Sequence, residues 1–240
     1  MRVAYFDCAR GISGGAALAA LLDAGADVAE LVARLGVLGG DASRIGVGDA
    51  MVGAFRARMV SIEGGSDAVA RGLRDMEGLI TAASLPDAAR DMALGVYRSL
   101  AEAEARVHGS DPAAVRFHEV GSLRSFVGVV GTALALEDLG IERIVASPLP
   151  FGHGTVETAH GRLSVPAPAT LELLRGIPVE PQDGEGELVT PTGAAILAVA
   201  ASGFGAAPAM TIEHIGYGTG GPKPDGVLLR VIVGEGPERS

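Results

Sequence analysis

Val3-Ala-Tyr-Phe6, then Asp7, then Cys8-Ala-Arg-Gly-Ile-Ser-Gly-Gly15, then an alanine- and leucine-rich run to Ala24: this opening stretch sets the class of fold. A short apolar run, a glycine-punctuated loop and a helix-forming segment in that order read as strand, loop, helix. Such a loop leaves backbone N–H groups free at a helix start, where the dipole favours an anion, and Arg10 adds positive charge. The spacing is neither G-x-G-x-x-G nor a Walker loop, so the standard dinucleotide and P-loop readings fail. The same glycines would equally serve a tight turn that packs helix closely against strand.

Outward from there, Asp27 opens a second helical piece, with Val28, Leu31, Val32 and Leu35 at helical spacing and Gly36 as its stop. Residues 51–62 alternate loosely, as a strand does. The pattern over 66–108 is helical, broken at Ser84-Leu85-Pro86, and Met92, Val96, Leu100, Ala103 and Val107 line one face of the later helix. A buried helix is expected over 123–139. Beyond Gly140 come short strand-like runs at 144–146, 154–158 and 162–165, a helix over 192–201 with Thr192 as its cap, and closing strands at 210–217 and 227–233. The expected architecture is α+β or mixed α/β: a strand-loop-helix start, a helical middle and a sheet-rich second half. It forms one domain over 1–234 with a flexible tail at 235–240.

Composition narrows the function. Of 240 residues 48% are apolar and 20% charged, too hydrophobic for a disordered chain, and the one cysteine cannot form an internal disulfide. Cys8 is read as a small buried hydrophobe or a nucleophile. The net charge of −10 argues against nucleic acid or an anionic membrane as partner, so any anion site is local. Asp7 and Asp23 interrupt any secretory signal, and the longest uncharged stretch, Leu188 to Ile212, is broken by glycines and prolines. The expectation is a cytoplasmic protein with a small anionic substrate and an alanine-rich surface that suits a homodimer. Glycine is the outlier, 36 residues against a usual share of about 7%.

Four segments are candidates for chemistry. The loop after Phe6 offers Asp7, Arg10, Ser13 and Gly14. In Phe117-His-Glu-Val-Gly121, His118 and Glu119 point apart on a strand but share a cleft on a turn, where they supply an acid/base pair or two metal ligands. Phe151-Gly-His-Gly154 and Ala159-His-Gly161 present His153 and His160. If 154–158 and 162–165 pair as a hairpin, the two histidines lie at opposite ends, roughly 15 Å apart, and do not share one metal. Gly186-Glu-Leu-Val-Thr-Pro-Thr-Gly193 brings Glu187, Thr190 and Thr192 to a helix start. A fifth segment, Ile215-Gly-Tyr-Gly-Thr-Gly-Gly221, reads as a phosphate-cradling loop or a turn between strands. Each motif alone also has an ordinary structural use as a turn, a cap or a surface polar pair.

Taken together and in order, the segments resemble the nickel-pincer cofactor insertase family (LarC), which loads nickel into a pyridinium bis-thiocarboxylate mononucleotide. The resemblance rests on Phe6-Asp-Cys8 with Gly11-Ile-Ser-Gly14, Leu21-Leu-Asp-Ala-Gly25, Ala101-Glu-Ala-Glu-Ala105 with His108-Gly109, and Phe117-His-Glu-Val-Gly121. It continues through Ala146-Ser-Pro-Leu-Pro150, Ala159-His-Gly-Arg-Leu163, Val165-Pro-Ala-Pro-Ala-Thr170, Gly186-Glu-Leu-Val-Thr-Pro-Thr-Gly-Ala194 and Ile215-Gly-Tyr-Gly218. Three family carboxylates are replaced. Gly15 stands where the resemblance implies Asp, and Arg124-Ser-Phe-Val-Gly128 stands where it implies Asp-Ser-Ile-Val-Asp. A histidine-rich insertion and the C-terminal nucleotide-binding part, in which CTP serves insertion, are also missing from the sequence.

The resemblance implies an insertase-type protein. Its nickel would be held by His118, Glu119, His160 and Glu187, and a separate nucleotide-binding chain would be its partner. Losing three oxygen ligands and gaining an arginine weakens a cation site, by a few kcal/mol for an Arg at ~4 Å even at an effective dielectric of about 20. The same losses suit metal-independent chemistry on an organic substrate, a cyclisation, elimination or isomerisation. There His118 would be the acid/base, Glu119 its orienter, and Arg10 with Arg124 the anion clamp. A third reading is a non-catalytic subunit that holds a cofactor intermediate. All three expect the loops after Phe6, before Leu123 and before Thr192 to meet at one site, and none assigns a resident cofactor.

Overall fold

The computed structural model describes residues 1–39, 44–63, 71–158, 161–221 and 226–237. Strand β1 (Arg2–Arg10) buries four consecutive residues, Val3, Ala4, Tyr5 and Phe6, so both its faces are covered. Ser13 then caps α1 (Gly14–Asp23), its hydroxyl accepting from the Ala16 N–H at 3.1 Å. The Asp27 carboxylate accepts from Ala29 and Glu30 and starts α2 (Val28–Gly39), which runs past the expected stop at Gly36.

The single strand expected over 51–62 is instead a hairpin. β2 (Ile45–Val52) and β3 (Phe55–Ile62) pair antiparallel about Gly53, whose φ of 58° makes the turn. The loose alternation runs through both arms, which hid the reversal. β4 (Arg71–Gly72) precedes α3 (Leu73–Ala82) and the long α4 (Asp87–His108), closed by Gly109 at φ 61°. The expected helix start at residue 66 lies outside the described residues. Val96, Leu100 and Ala103 of α4 are buried as the spacing implied, while Val107 is largely exposed.

The rest of the chain follows as β5 (Arg116–Phe117), α5 (Leu123–Asp138), β6 (Arg143–Ala146), β7 (Leu149–His153), β8 (Thr155–Thr158) and β9 (Gly161–Ser164). After these come α6 (Pro168–Leu173), β10 (Val179–Glu185), α7 (Pro191–Ala200), β11 (Gly203–Phe204), β12 (Thr211–Thr219) and β13 (Leu228–Glu235). Thr190, not Thr192, caps α7: its hydroxyl accepts from the Gly193 N–H at 3.2 Å, while Thr192 is buried inside the helix. β13 runs through Glu235, which pairs with Arg2, so the strand includes the first residue of the expected tail.

The mixed α and β class holds, but the sheet is not confined to the second half. Seven strands lie in the order β11-β6-β1-β13-β12-β3-β2, so the closing pair β12–β13 inserts between β1 and the β2–β3 hairpin. β1 runs parallel to β6 and antiparallel to β13; β12 touches β3 in parallel only at Gly218 and Thr219. Helix α1 lies between this sheet and α5, and α4 packs outside, against α3, α5, α6 and α7. Among the described residues no helix is long and apolar enough to cross a membrane.

The seat of α1 explains part of the glycine excess. A methyl group at Gly216 or Gly218 of β12 would overlap the Ala20 or Ala16 carbonyl of α1, so the helix lies directly on the strand backbone. Asp23, at the end of α1 and 6% exposed, fixes the seat by accepting from the Tyr217 N–H at 2.9 Å and from Arg56 at 2.8 Å. The segment read as a phosphate cradle or turn is therefore mostly a helix seat. Gly216→Ala should cost at least about 2 kcal/mol by overpacking. Gly48→Ala, at an exposed strand position with open space beside it, should change stability by under about 0.5 kcal/mol. Urea midpoints test this, and equal shifts for the two variants would show that the seat is not constrained.

Candidate functional site

The loop after β1 and the loop before α7 are stitched together. Ile12 N–H donates to the Leu188 carbonyl at 2.9 Å, Thr190 N–H donates to the Ile12 carbonyl at 3.0 Å, and Ile12 pairs with Val189 as a parallel bridge. Ser13 and Glu187 are thereby brought to one wall. The opposing turn, 118–122, is anchored from below. Phe117 is buried with its ring 5.9 Å from that of Tyr97, Arg71 donates to the Gly121 carbonyl at 2.8 Å, and the Ser125 hydroxyl donates to the Glu119 carbonyl at 3.1 Å. Fixed in this way, His118 and Glu119 leave the strand and face one cleft.

That cleft, about 570 Å³, is lined by Ser13, Gly14, His118, Glu119, Arg124, Glu187, Thr190 and Thr192 among others. Its lining carries two kinds of group. Three helices begin on its walls, α1 at Ser13, α5 at Ser122 and α7 at Thr190, each with its cap hydroxyl satisfied by its own helix. Their N-termini and the exposed Arg124 favour an anion. His118, Glu119 and Glu187, in the same lining, offer an imidazole and two carboxyl groups. Burial and the neighbouring Glu119 charge push the Glu187 carboxyl up to about 7, so near neutral pH it exchanges a proton. Among the described residues no three His, Cys, Asp or Glu side chains stand close enough to hold a metal ion together.

Other expected site residues lie elsewhere. Asp7 is held by Arg230 of the adjacent strand β13. Arg10 lines a separate, open cavity of about 770 Å³ with Gln182, Asp183 and Glu185, so it does not join Arg124 in one clamp. Gly11, at φ 91°, turns the chain between Arg10 and Ser13. His153 ends β7, exposed and paired with Glu185 of β10, away from the cleft. The hairpin expected around His160 is present as β8–β9, but His160 itself lies outside the described residues. Cys8 is fully buried, and that burial pushes its thiol far above the ordinary range, so it is no nucleophile.

With the geometry in place, comparison with known proteins decides the family. Residues 4–240 match the family described as nickel insertion protein. The chain belongs to that family. It is 43% identical, over 99% of its length and 62% of the relative's, to a putative nickel insertion protein of Geotalea daltonii. It is 46% identical, over 98% and 61%, to one of Syntrophobacter fumaroxidans. It is 41% identical, over 98% and 59%, to a pyridinium-3,5-bisthiocarboxylic acid mononucleotide nickel insertion protein of Desulfitobacterium hafniense. The chain thus spans about three fifths of the length of these curated relatives. No solved structure matches it.

Within this nickel insertion fold, all three positions at which the resemblance implies a lost carboxylate, Gly15, Arg124 and Gly128, line the one cleft. They are not equivalent. A Cβ at Gly15 meets only the Gly220 Cα, 3.9 Å away, whereas a Cβ at Gly128 would stand 2.9 Å from the Gly14 backbone, where α5 crosses α1. Gly220, from the segment read as a phosphate cradle or turn, also lines the cleft, as do Ser122, Ser125, Val60 and Ile62, which were not singled out. The Ser122-x-x-Ser125 spacing ahead of an apolar run was the available signal, since a serine there caps a helix.

Glu187 gives the site a pH signature. An unfolded glutamate ionises near 4.5 and this one near 7, so between those values the native state keeps a proton that the unfolded chain has lost. Stability therefore falls as pH rises from about 4.5 to 7 and stays lower above. Glu187→Gln removes that loss and should be more stable than the wild type by about 1–3 kcal/mol at pH 8, with little difference at pH 4. Urea unfolding at the two pH values measures it; a gain independent of pH would refute the burial of an ionisable Glu187.

Proposed function

We propose that this chain performs the metal-transfer part of nickel insertion into an anionic pyridinium bis-thiocarboxylate mononucleotide, the substrate in the name of the Desulfitobacterium relative. The observation that carries the reading is one cleft lined by both kinds of group: helix starts with Arg124, and His118, Glu119 and Glu187. The anionic groups of the mononucleotide fit the former. Nickel, here a substrate, fits the latter, because imidazole and carboxylate are suitable donors for a borderline divalent ion. A donor must also let go. Two loosely placed ligands hold the ion weakly, and the soft sulfur atoms of the acceptor complete its shell and draw it away. The nucleotide-binding partner chain, the cytoplasmic setting and a homodimeric form belong to the same proposal.

A second reading has one observation in its favour. The cleft wall carries Gly15, Arg124 and Gly128 where carboxylates are implied, which suits an organic anion handled without metal, with His118 as acid/base. Family membership favours the first reading, and one experiment separates them. On calorimetric titration the wild type should bind nickel, and Arg124→Asp, alone and with Gly15→Asp, should bind it at least tenfold more tightly. Glu187→Ala should lower transfer of nickel to the mononucleotide, followed by mass, at least tenfold. A wild type that binds no nickel, together with an Arg124→Asp variant that does not gain it, overturns the first reading. Full activity in His118→Ala overturns the second.

A further inference from the structure

A second, smaller cavity of about 210 Å³ opens off the cleft, and His118, Glu119 and Glu187 line both. Its far end is the last turn of α4, where Glu104 and His108 stand one helical turn apart with His108 Nε2 3.5 Å from Glu104 Oε2. Val156 and Leu163, cross-strand partners in the β8–β9 hairpin, line its side. Every ionisable group on its lining is a carboxylate or an imidazole; among the described residues none is Lys or Arg. His108 is 44% exposed and Glu104 25%, so this end meets solvent while the other opens into the cleft.

We propose that Glu104 and His108 form an outer docking site for a divalent metal ion, and that the chamber passes the ion inward to His118, Glu119 and Glu187. The inference rests on the nickel-transfer reading of the cleft. Glutamate and histidine at i and i+4 share one face of a helix and offer an oxygen and an imidazole nitrogen to one ion. At the liquid share of about 30 Å³ per water, the chamber has room for about seven waters, the size of an ion with one hydration shell. With no lysine or arginine among the described residues of its lining, the chamber itself adds no repulsive charge to the path. Among the described residues no three donors converge. The ion is therefore held by two protein ligands at a time, which keeps each stop weak and the movement fast. Glu104 and His108 belong to the quoted motifs, and the cleft alone gives them no task.

The test uses the metal alone on the whole chain. With histidine ring signals followed by NMR, substoichiometric Ni²⁺ should broaden those of His108 and His118 well before that of His214, an exposed histidine on β12 that serves as the surface reference. Glu104→Gln and His108→Ala should each weaken the outer site at least tenfold while leaving broadening of His118 at saturating nickel. They should also slow single-turnover transfer from free nickel several-fold. Broadening of His108 that merely tracks His214, or transfer at the wild-type rate in both variants, overturns the inference and leaves the cleft's function intact. Early broadening of His108 with no transfer to the mononucleotide by any form of the protein would keep the docking site and sink the nickel-transfer reading instead.

Discussion

Everything at the cleft depends on where α1 begins, and that is fixed by backbone-to-backbone contact on two sides. The glycines of β12 let α1 lie on the sheet, and Gly128 of α5 lets the second helix cross it at Gly14. With no side chain as spacer, small displacements are not absorbed by rotamer changes, and the start of α1 becomes a rigid point. Asp23 holds the opposite end through bonds to Tyr217 and Arg56. A helix pinned at its tail and wedged along its length points its N-terminus into the cleft whether or not a ligand is present. Preorganisation of this kind is what a dipole needs to act on a substrate, because no reorganisation is required at the moment of binding.

The donor groups of the cleft are held on different terms. Glu187 sits on a segment held by hydrogen bonds to Ile12, and His118 and Glu119 sit on a turn pinned by Tyr97, Arg71 and Ser125. The backbone is fixed, but His118 and Glu119 themselves are exposed. Glu187 is withdrawn from water, which raises its proton affinity, and the charge on Glu119 adds to that change. The site thus combines rigid helix starts that favour an anion with more adaptable donor side chains. Exposed donors can follow an ion as its shell changes, whereas fixed helix ends keep an organic anion in register.

The sequence made the elements legible where the signal is local. The strand-loop-helix start, the buried helix after Ser122 and the closing strands all follow from apolar runs bounded by caps and glycine. The cleft-forming role of His118, Glu119, Glu187, Ser13 and Thr190 was readable because each lies in a turn or at a helix start, where backbone groups are free and side chains converge. What stayed hidden depends on distant partners. Gly216 and Gly218 look like a flexible loop until α1 is seen against them. Arg10 is only three residues from Ser13, yet the turn at Gly11 sends the two to different cavities. The β2–β3 reversal was missed for the opposite reason: its signal is local, but a single glycine carries it.

Gly15, Arg124 and Gly128 stand where the family resemblance implies carboxylates. Their positions surround the start of α1, the place where the helix ends already favour negative charge. An aspartate there would be stabilised by those dipoles and in turn would cancel them, leaving the wall neutral to an approaching anion while offering oxygens to a cation. Removing the carboxylates leaves the dipoles uncompensated, and Arg124 adds a full positive charge on the same side. Arg124 is exposed, so solvent screens its effect to about 0–1 kcal/mol, comparable with the roughly 0.3–1 kcal/mol of a single helix end, and the two add. Gly15 and Gly128 then act by subtraction and Arg124 by addition, and both move the cleft the same way. Under the nickel-transfer reading proposed above, that change would favour the organic anion over the ion at the start of α1 and would leave capture of the cation to donors farther from it.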